Sequence, residues 1–276
     1  MIKDLVVNLT GASAQEYAAD YAVSIAREFG AHADGISFIF DPVIPGSVLG
    51  GLPTELIEAQ RAENSKIAKA ATEHFESACK TAGVTGHTRI LDASVAGAAD
   101  LFGRIARRFD LSVVGQARRD LGASEDLLIE GALFESGRPM VVVPYIQKDG
   151  LKLDRMLVCW DGSRPAARAI ADAMPFLQRA KAVEVLVVIG ERGKGGELQG
   201  TNMTRHLARH GINVELKRVP AGDLDVKDAI LSYVADSEAT LIVMGGYGHS
   251  RLREFILGGV TRGILTSMTT PVLMSH

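Results

Sequence analysis

The chain contains an internal repeat, which restricts its fold more than any other feature. Residues 5–11 (LVVNLTG) match residues 156–162 (MLVCWDG), and residues 109–115 (FDLSVVG) match residues 239–245 (ATLIVMG). A third pair joins 138–143 (RPMVVV) with 270–274 (TPVLM). Self-similarity over units of about 140 residues indicates two copies of one structural unit. We therefore predict two copies of one fold that face each other as an internal pseudo-dimer.

Within each copy, short apolar runs alternate with segments of helical periodicity. In the first half the apolar runs occupy 2–9, 33–40, 87–91, 111–115 and 139–144, and the second half keeps the same order. Strands that alternate with helices predict an α/β fold, in which helices cover both faces of a parallel sheet. The polar stretch 147–153 contains a turn sequence, Lys148-Asp149-Gly150, and separates the halves. We predict two domains, residues 1–146 and 152–276.

Composition and charge narrow the function classes. The 276 residues are 47% apolar and 23% charged, which is typical of a soluble globular protein. A formal net charge of -3, with dispersed basic residues, argues against nucleic acid or an anionic membrane as the partner. The two cysteines, Cys79 and Cys159, fit a reducing compartment. Because the sequence shows neither a secretory signal pattern nor an apolar run of about 18 residues, we expect a cytoplasmic protein.

The most informative stretch for function begins at Gly245. A glycine cluster that includes Gly248 precedes His249, and a second pair, Gly258 and Gly259, follows after nine intervening residues. An apolar run that ends in glycine is typical of a buried parallel strand leading into a ligand-binding loop. Glycines let backbone N–H groups approach an anion, and a helix that begins at the second pair would direct its N-terminal N–H groups toward it. We predict a phosphate-binding site. His249 would donate to the phosphate when protonated, and the alternative, which is the commoner case, is an exposed loop histidine.

The two halves differ at the positions that would form this site. Thr10 stands where the second half has Asp161, and residues 115–118 (GQAR) stand where it has 245–248 (GGYG). Counted back from the prolines that the halves share, Asp126 stands opposite Gly258 and has Glu125 beside it. Carboxylates at this position would repel a phosphate. We predict an intact nucleotide site in the second half and a degenerate copy in the first.

A first strand that ends in aspartate, with a late strand followed by Gly-x-x-Gly, nine residues and a further glycine, resembles the universal stress protein family. The resemblance covers both halves and is most specific over 243–261, so the chain is similar to a tandem universal stress protein. It implies two doubly wound domains, each with a five-stranded parallel sheet of order 3-2-1-4-5. It also implies ATP, alone or with Mg, at the ends of strands one and four. The predicted nucleotide-binding residues are Asp161, Val188, Gly245, Gly248, His249, Gly258, Gly259, Val260 and Thr261.

The resemblance assigns roles to several of these residues, and simpler structural interpretations stay open beside them. Asp161 would contact the ribose or a metal carried by the nucleotide, while the alternative is that Asp161 or Ser163 caps a helix. Val188 would meet adenine through its backbone, although its side chain is typical of a core. The family commonly has Ser or Thr where this chain has Gly259. A missing hydroxyl removes a hydrogen bond of about 0.5–1.5 kcal/mol, so we expect weaker binding of ATP.

Two other features have a structural and a functional interpretation. His206 and His210 have the i, i+4 spacing of two zinc ligands, yet no Glu follows His206 and no third ligand is near, so we interpret them as part of a solvated helix face. The apolar loop 41–53 is expected to pack on its own domain, with a lid or a partner surface as the alternative.

The sequence therefore predicts an ATP-binding stress-response or signalling protein whose second half holds the nucleotide. Ser163 and Ser250 lack the histidine and acid that a nucleophile needs, and no phosphate-binding lysine of the P-loop kind is evident. We expect no dedicated catalytic activity beyond slow ATP hydrolysis. The alternatives are a non-enzymatic dimeric scaffold with vestigial sites, which acts through protein contacts, and a phosphohydrolase or phosphotransferase. A protein partner or a homo-oligomer is compatible with either.

Overall fold

The computed structural model describes residues 1–11, 16–41, 54–117, 124–189, 196–247 and 259–276. These residues form two compact units, Ile2–Ser136 and Gly137–His276, the latter together with Met1. The units divide in sequence between Ser136 and Gly137, whereas the domains predicted from the sequence are 1–146 and 152–276. That domain boundary remains a prediction.

The first unit alternates strands and helices from its first element onward. Its order is β1 (Asp4–Leu9), α1 (Tyr17–Phe29), β2 (His32–Phe40), α2 (Thr54–Ala82), β3 (Gly86–Ala93), α3 (Val95–Ala106), β4 (Leu111–Gly115), α4 (Ser124–Glu130) and a π-helical turn (Gly131–Glu135). Strand β1 pairs in parallel with both β2 and β4, and β2 pairs in parallel with β3. The strand order β3-β2-β1-β4 is therefore that of a doubly wound sheet.

The second unit repeats this pattern and begins with an additional strand. Its order is β5 (Met140–Val143), β6 (Arg155–Cys159), α5 (Arg164–Leu177), β7 (Ala182–Ile189), α6 (Gly196–Arg209), β8 (Val214–Pro220), α7 (Val226–Ser237), β9 (Leu241–Gly245), α8 (Gly259–Ser267) and β10 (Val272–Ser275). The parallel strands lie in the order β10-β9-β6-β7-β8, which confirms the predicted order 3-2-1-4-5. Strand β5 pairs antiparallel with β10.

The apolar runs form strands because their side chains are buried on both faces of each sheet. Residues 241–244 of β9 and 156–158 of β6 are fully or almost fully buried, as expected for central parallel strands covered by helices. In the second unit, α5 packs on β9 and β10, and α6 packs on β7 and β8. The α/β fold class predicted from the alternation of elements is thus confirmed.

Glu184 of β7 is a carboxylate buried within the sheet of the second unit. Its Oε1 lies 2.8 Å from Nη1 of Arg155, and the hydroxyl of Tyr233 donates to its Oε2 at 2.8 Å. Burial, together with the Glu184 carboxylate, raises the pKa of Tyr233 to about 12. A buried carboxylate requires such partners, because an unpaired charge is costly in the protein interior.

Two further predictions from the sequence concern membrane-spanning helices and the loop at 41–53. Among the residues that the structure describes, no helix is long and apolar enough to cross a membrane. The loop predicted at 41–53 lies outside the described residues except for Asp41, so neither interpretation of it is tested.

Candidate functional site

The predicted site lies where strands β6 and β9 end side by side in the centre of the second unit. The two strands pair in parallel from Met156↔Leu241 to Val158↔Val243. From β6 the chain moves outward to β7 and β8, and it then returns to β9 and β10 on the other side. Such a point of reversal leaves a crevice at the carboxyl ends of the strands, where ligands of doubly wound sheets bind.

The turn between β6 and α5 presents Asp161 to solvent. Gly162 has a φ of 78°, a left-handed conformation that glycine adopts readily. One carboxylate oxygen of Asp161, Oδ1, accepts the backbone N–H of Ser163 at 2.9 Å. The hydroxyl of Ser163 in turn accepts the N–H of Ala166 at 3.2 Å and caps α5, with Pro165 in the first turn. Ser163 is therefore the helix cap, and the turn orients an exposed carboxylate at Asp161.

Gly245, the last residue of β9, allows α5 to begin close to the end of that strand. A Cβ at this position would lie 2.4 Å from the backbone N of Ala166 and 2.6 Å from the carbonyl carbon of Pro165. Both distances are shorter than a real Cβ contact, and both atoms belong to backbone. The sequence assigned Gly245 to phosphate approach, whereas the structure shows that it is also required for helix packing. At Gly115 in the first unit, a Cβ would instead lie 2.8 Å from Oη of Tyr17, which is the end of a side chain and not backbone.

Hydrogen bonds to β10, His276 and α8 hold the described part of the turn that follows β9. The N–H of Gly246 donates to the carbonyl of Ser275 at 2.9 Å, and Nδ1 of His276 donates to the carbonyl of Gly246 at 3.1 Å. The N–H of Tyr247 donates to Oγ1 of Thr261 at 3.3 Å. Tyr247 itself is 7% exposed and has a φ of 55°. The turn is thus fixed to β10 on one side and to α8 on the other.

Helix α8 exposes the start of its first turn toward solvent. Gly259 and Val260 are exposed, whereas Thr261 is buried. No atom of the described residues lies within 4 Å of where a Cβ of Gly259 would be. The first N–H groups of an α-helix have no acceptor within the helix, and together with the helix dipole they favour an anion.

Three predicted site residues, Gly248, His249 and Gly258, lie outside the residues that the structure describes. Their contacts therefore remain predictions. The other six, Asp161, Val188, Gly245, Gly259, Val260 and Thr261, belong to the carboxyl ends of β6, β7 and β9 or to the segments that follow these strands. The roles of these six in ligand binding also remain predictions.

Several apolar side chains are exposed at the end of β7 and after β8. Strand β7 continues three residues beyond Leu186, the last residue paired with β6, and ends in Val188 and Ile189. Val188 is half-buried, but Ile189 is 39% exposed, and Leu224 and Val226 after β8 are 57% and 40% exposed. Beyond Leu186, the backbone of β7 extends past the end of its pairing with β6. This backbone, with exposed apolar side chains beside it, is suited to bind a flat apolar ring. The sequence prediction named Val188 at this strand end but not Ile189.

At the corresponding end of the first unit, helix α2 and the Glu16 side chain lie close to the end of β1. A Cβ on Gly11 would lie 2.4 Å from Cγ2 of Ile67, so α2 lies directly against the end of β1. Glu16, 7% exposed, turns its carboxylate toward the backbone N–H groups of Thr10 and Gly11. Burial raises the pKa of Glu16, and those N–H groups oppose the shift. The first unit therefore holds its own carboxylate at an edge where the second unit exposes Asp161.

The cysteines and histidines are the other candidates for chemistry. Burial raises the pKa of Cys79 to about 11 and that of Cys159 to about 12, so both remain thiols at neutral pH. His206 on α6 and His210, which directly follows that helix, are both exposed, with ring centroids 4.8 Å apart. Over the ranges that the structure describes, no group of three or more His, Cys, Asp or Glu residues could hold a metal ion.

Comparisons with known proteins relate the second unit to one family. Residues 152–276 match the sequence model of the Universal stress protein family. A universal stress protein from Synechocystis sp. is 24% identical over 174 residues, which cover 60% of this chain and 57% of that protein. The match thus spans less than two thirds of the length of that curated relative.

Solved structures resemble the whole chain. A universal stress protein from Archaeoglobus fulgidus DSM 4304 has a TM-score of 0.68 at 18% identity and covers 98% of this chain and 95% of its own. A functionally unknown protein from Pseudomonas aeruginosa PAO1 has a TM-score of 0.65 at 14% identity, covering 99% and 92%. At these identities the likeness concerns the fold. The second half of the chain matches the universal stress protein family in sequence, and the chain as a whole shares the fold of a universal stress protein.

Proposed function

We propose that this chain is a tandem universal stress protein that binds ATP through its second unit and acts as a nucleotide-dependent stress-response or signalling protein. One observation supports this more than any other. The exposed carboxylate of Asp161 and the turn after Gly245 follow neighbouring strands at one edge of the sheet, and the first turn of α8 is hydrogen-bonded to that turn. The family match over 152–276 covers all of these segments.

The described residues fit the parts of ATP as three separate subsites. The start of α8 suits the phosphates, because Gly259 and Val260 are exposed and no described atom lies within 4 Å of a Cβ placed on Gly259. Asp161 suits a ribose hydroxyl or an Mg ion that the phosphates bring with them. The backbone at Val188, with Ile189 beside it, suits the adenine ring.

Gly259 is expected to lower the affinity of this site for the phosphates of ATP. Family members that carry a hydroxyl at this position would gain a hydrogen bond that Gly259 does not offer. The nearby hydroxyl of Thr261 does not replace it, since this side chain is buried and directed toward the backbone of Tyr247 rather than to the exposed surface of the helix. We therefore expect the wild-type affinity for ATP to be roughly twofold to tenfold below that of the Gly259→Ser variant.

Isothermal titration calorimetry with ATP, with and without Mg, tests the proposal. Gly259→Glu should abolish or strongly weaken binding, because a carboxylate there opposes a phosphate. The same carboxylate is compatible with the N-terminus of α8, so the fold should be retained. Gly259→Ala is the matched control and should bind ATP like the wild type. A wild-type protein that shows no heat with ATP and releases no nucleotide on denaturation would refute the proposal.

The contacts at the end of β1 distinguish the first unit from the second. Because Glu16 and Ile67 lie close to the end of β1, we propose that this unit does not bind a nucleotide and acts as a scaffold through protein contacts. One ATP per chain in calorimetry would agree with this, whereas two ATP per chain would contradict it.

A further inference from the structure

We propose that Thr261 is a positioning residue, whose hydroxyl holds the turn after β9 against the first turn of α8 and so sets the geometry of the phosphate subsite. The inference rests on the proposed function, because it assigns a role within the same site. Tyr247 and Thr261 are 14 residues apart in sequence and belong to the two segments that would enclose the phosphates. A bond between these two segments fixes their separation.

The direction of the Thr261 side chain supports this role. Val260 and Arg262 are exposed on either side of it, whereas Thr261 is 5% exposed. Its Oγ1 accepts the backbone N–H of Tyr247 at 3.3 Å. Valine has nearly the same shape but no acceptor, so the hydrogen bond from this buried N–H to residue 261 would be lost.

The backbone of Tyr247 shows why the turn needs such a bond. Its φ of 55° lies in the left-handed region, which is uncommon for a residue other than glycine. Residues in such conformations persist only where their surroundings hold them, and they concentrate at functional sites. Here the ring of Tyr247 is buried, and its N–H is bound by Thr261. Without the hydroxyl of Thr261, the turn would lose its hydrogen bond to α8.

The first repeat serves as an internal comparison. By the alignments of 115–118 with 245–248 and of Pro139 with Pro271, Ala117 stands opposite Tyr247 and Ile129 opposite Thr261. Ile129 is buried but offers no hydroxyl. The copy that lacks the second motif glycine therefore also lacks the hydroxyl that would hold the turn. The bond is confined to the unit for which we propose a ligand.

The test uses the full chain and two variants, Thr261→Val and Thr261→Ser, titrated with ATP and with adenosine. In Thr261→Val we expect ATP to bind about threefold to tenfold more weakly, because one hydrogen bond that orders the phosphate subsite is lost. Adenosine, which has no phosphates, should bind with unchanged affinity. Thr261→Ser keeps the hydroxyl and should restore the affinity for ATP.

Amide hydrogen exchange at Tyr247, measured without ligand, gives a second and independent result. Exchange should be faster in Thr261→Val and close to wild type in Thr261→Ser. If Thr261→Val bound ATP with wild-type affinity, the inference about Thr261 would be wrong, while the proposed function would stand. The same holds if the variant lost affinity for ATP and adenosine equally, because an equal loss indicates general destabilisation. A wild-type protein that binds neither ligand overturns the proposed function, and the exchange rates then decide separately whether Thr261 holds Tyr247.

Discussion

Replacing Gly245 with alanine tests whether the end of β9 must accommodate the start of α5. The added Cβ would lie 2.4 Å from the backbone N of Ala166, whereas ordinary contacts begin at 3.4 Å. The difference of about 1.0 Å has to be absorbed by backbone, since neither the strand end nor the helix start is a flexible side chain. The turn at Asp161 is part of the same helix start and would move with it.

Overpacking of this kind destabilises proteins by about 1–3 kcal/mol. For a unit of this size, 1 kcal/mol corresponds to roughly 4 °C in Tm, so we expect the second unit to unfold about 4–12 °C lower in Gly245→Ala. ATP should also bind more weakly, because the displaced helix start carries Asp161 away from its neighbour strand. Gly259→Ala is the matched control, since its Cβ meets no described atom within 4 Å. Its Tm should equal or slightly exceed that of the wild type.

Trp160 provides the assay, because it is the single tryptophan of the chain and lies between β6 and Asp161. Its fluorescence reports thermal unfolding of the second unit, and titration with ATP can follow the same probe. If Gly245→Ala unfolded at the wild-type temperature and bound ATP equally well, then α5 could move away from the end of β9 without a measurable loss of stability. The packing role assigned to Gly245 would then be wrong.

Three further predictions concern stability, pH and turnover. Arg155→Met should destabilise the second unit by about 2 kcal/mol, because the buried Glu184 carboxylate loses its ion pair with Arg155. The partial exposure of Arg155 lessens this loss. Urea unfolding followed by Trp160 fluorescence measures the change, and an unchanged unfolding midpoint would contradict the prediction. Glu16→Gln should stabilise the protein at neutral pH. The folded-state pKa of Glu16 is raised, so its contribution is fully present below the unfolded pKa near 4.5 and is lost as pH rises through the folded pKa. The advantage of the variant should therefore disappear toward acid pH in thermal melts, and a gain that did not depend on pH would count against this. ATP turnover should stay far below about 1 per second, which is the lower end of kinase rates. An assay of phosphate release measures the turnover. Release that persists in the Gly259→Glu variant would come from a contaminating ATPase.

The order of elements could be predicted from the sequence because it depends on local patterns. Apolar runs bounded by polar or glycine-containing segments predicted β2 as 33–40 and β3 as 87–91, close to His32–Phe40 and Gly86–Ala93 in the structure. The repeat then extended the prediction to the second half, and the strand order followed from the resemblance. Strand β5 shows the limit, since its antiparallel pairing with β10 depends on a partner about 130 residues away.

Part of the candidate site could be located in the same way. Glycine positions and the aspartate after β6 are visible in the sequence, so Asp161, Gly245 and Gly259 could be named. Their surroundings could not, because the atoms that approach Gly245 belong to Pro165 and Ala166, some 80 residues earlier in the chain. The same holds for the contact of Ile67 with Gly11, which lies close to the end of β1 in the first unit.

The sequence by itself thus determined the α/β alternation, the internal repeat and the glycine positions, since each is encoded within a short segment or in a comparison of two segments. The tertiary structure alone decided that Ser163 rather than Asp161 caps α5, that Gly245 is needed for packing, and that the hydroxyl of Thr261 points inward to Tyr247. The direction of a side chain and the close approach of two backbone segments depend on which helices and strands pack against each other. The packing of the whole unit determines those contacts.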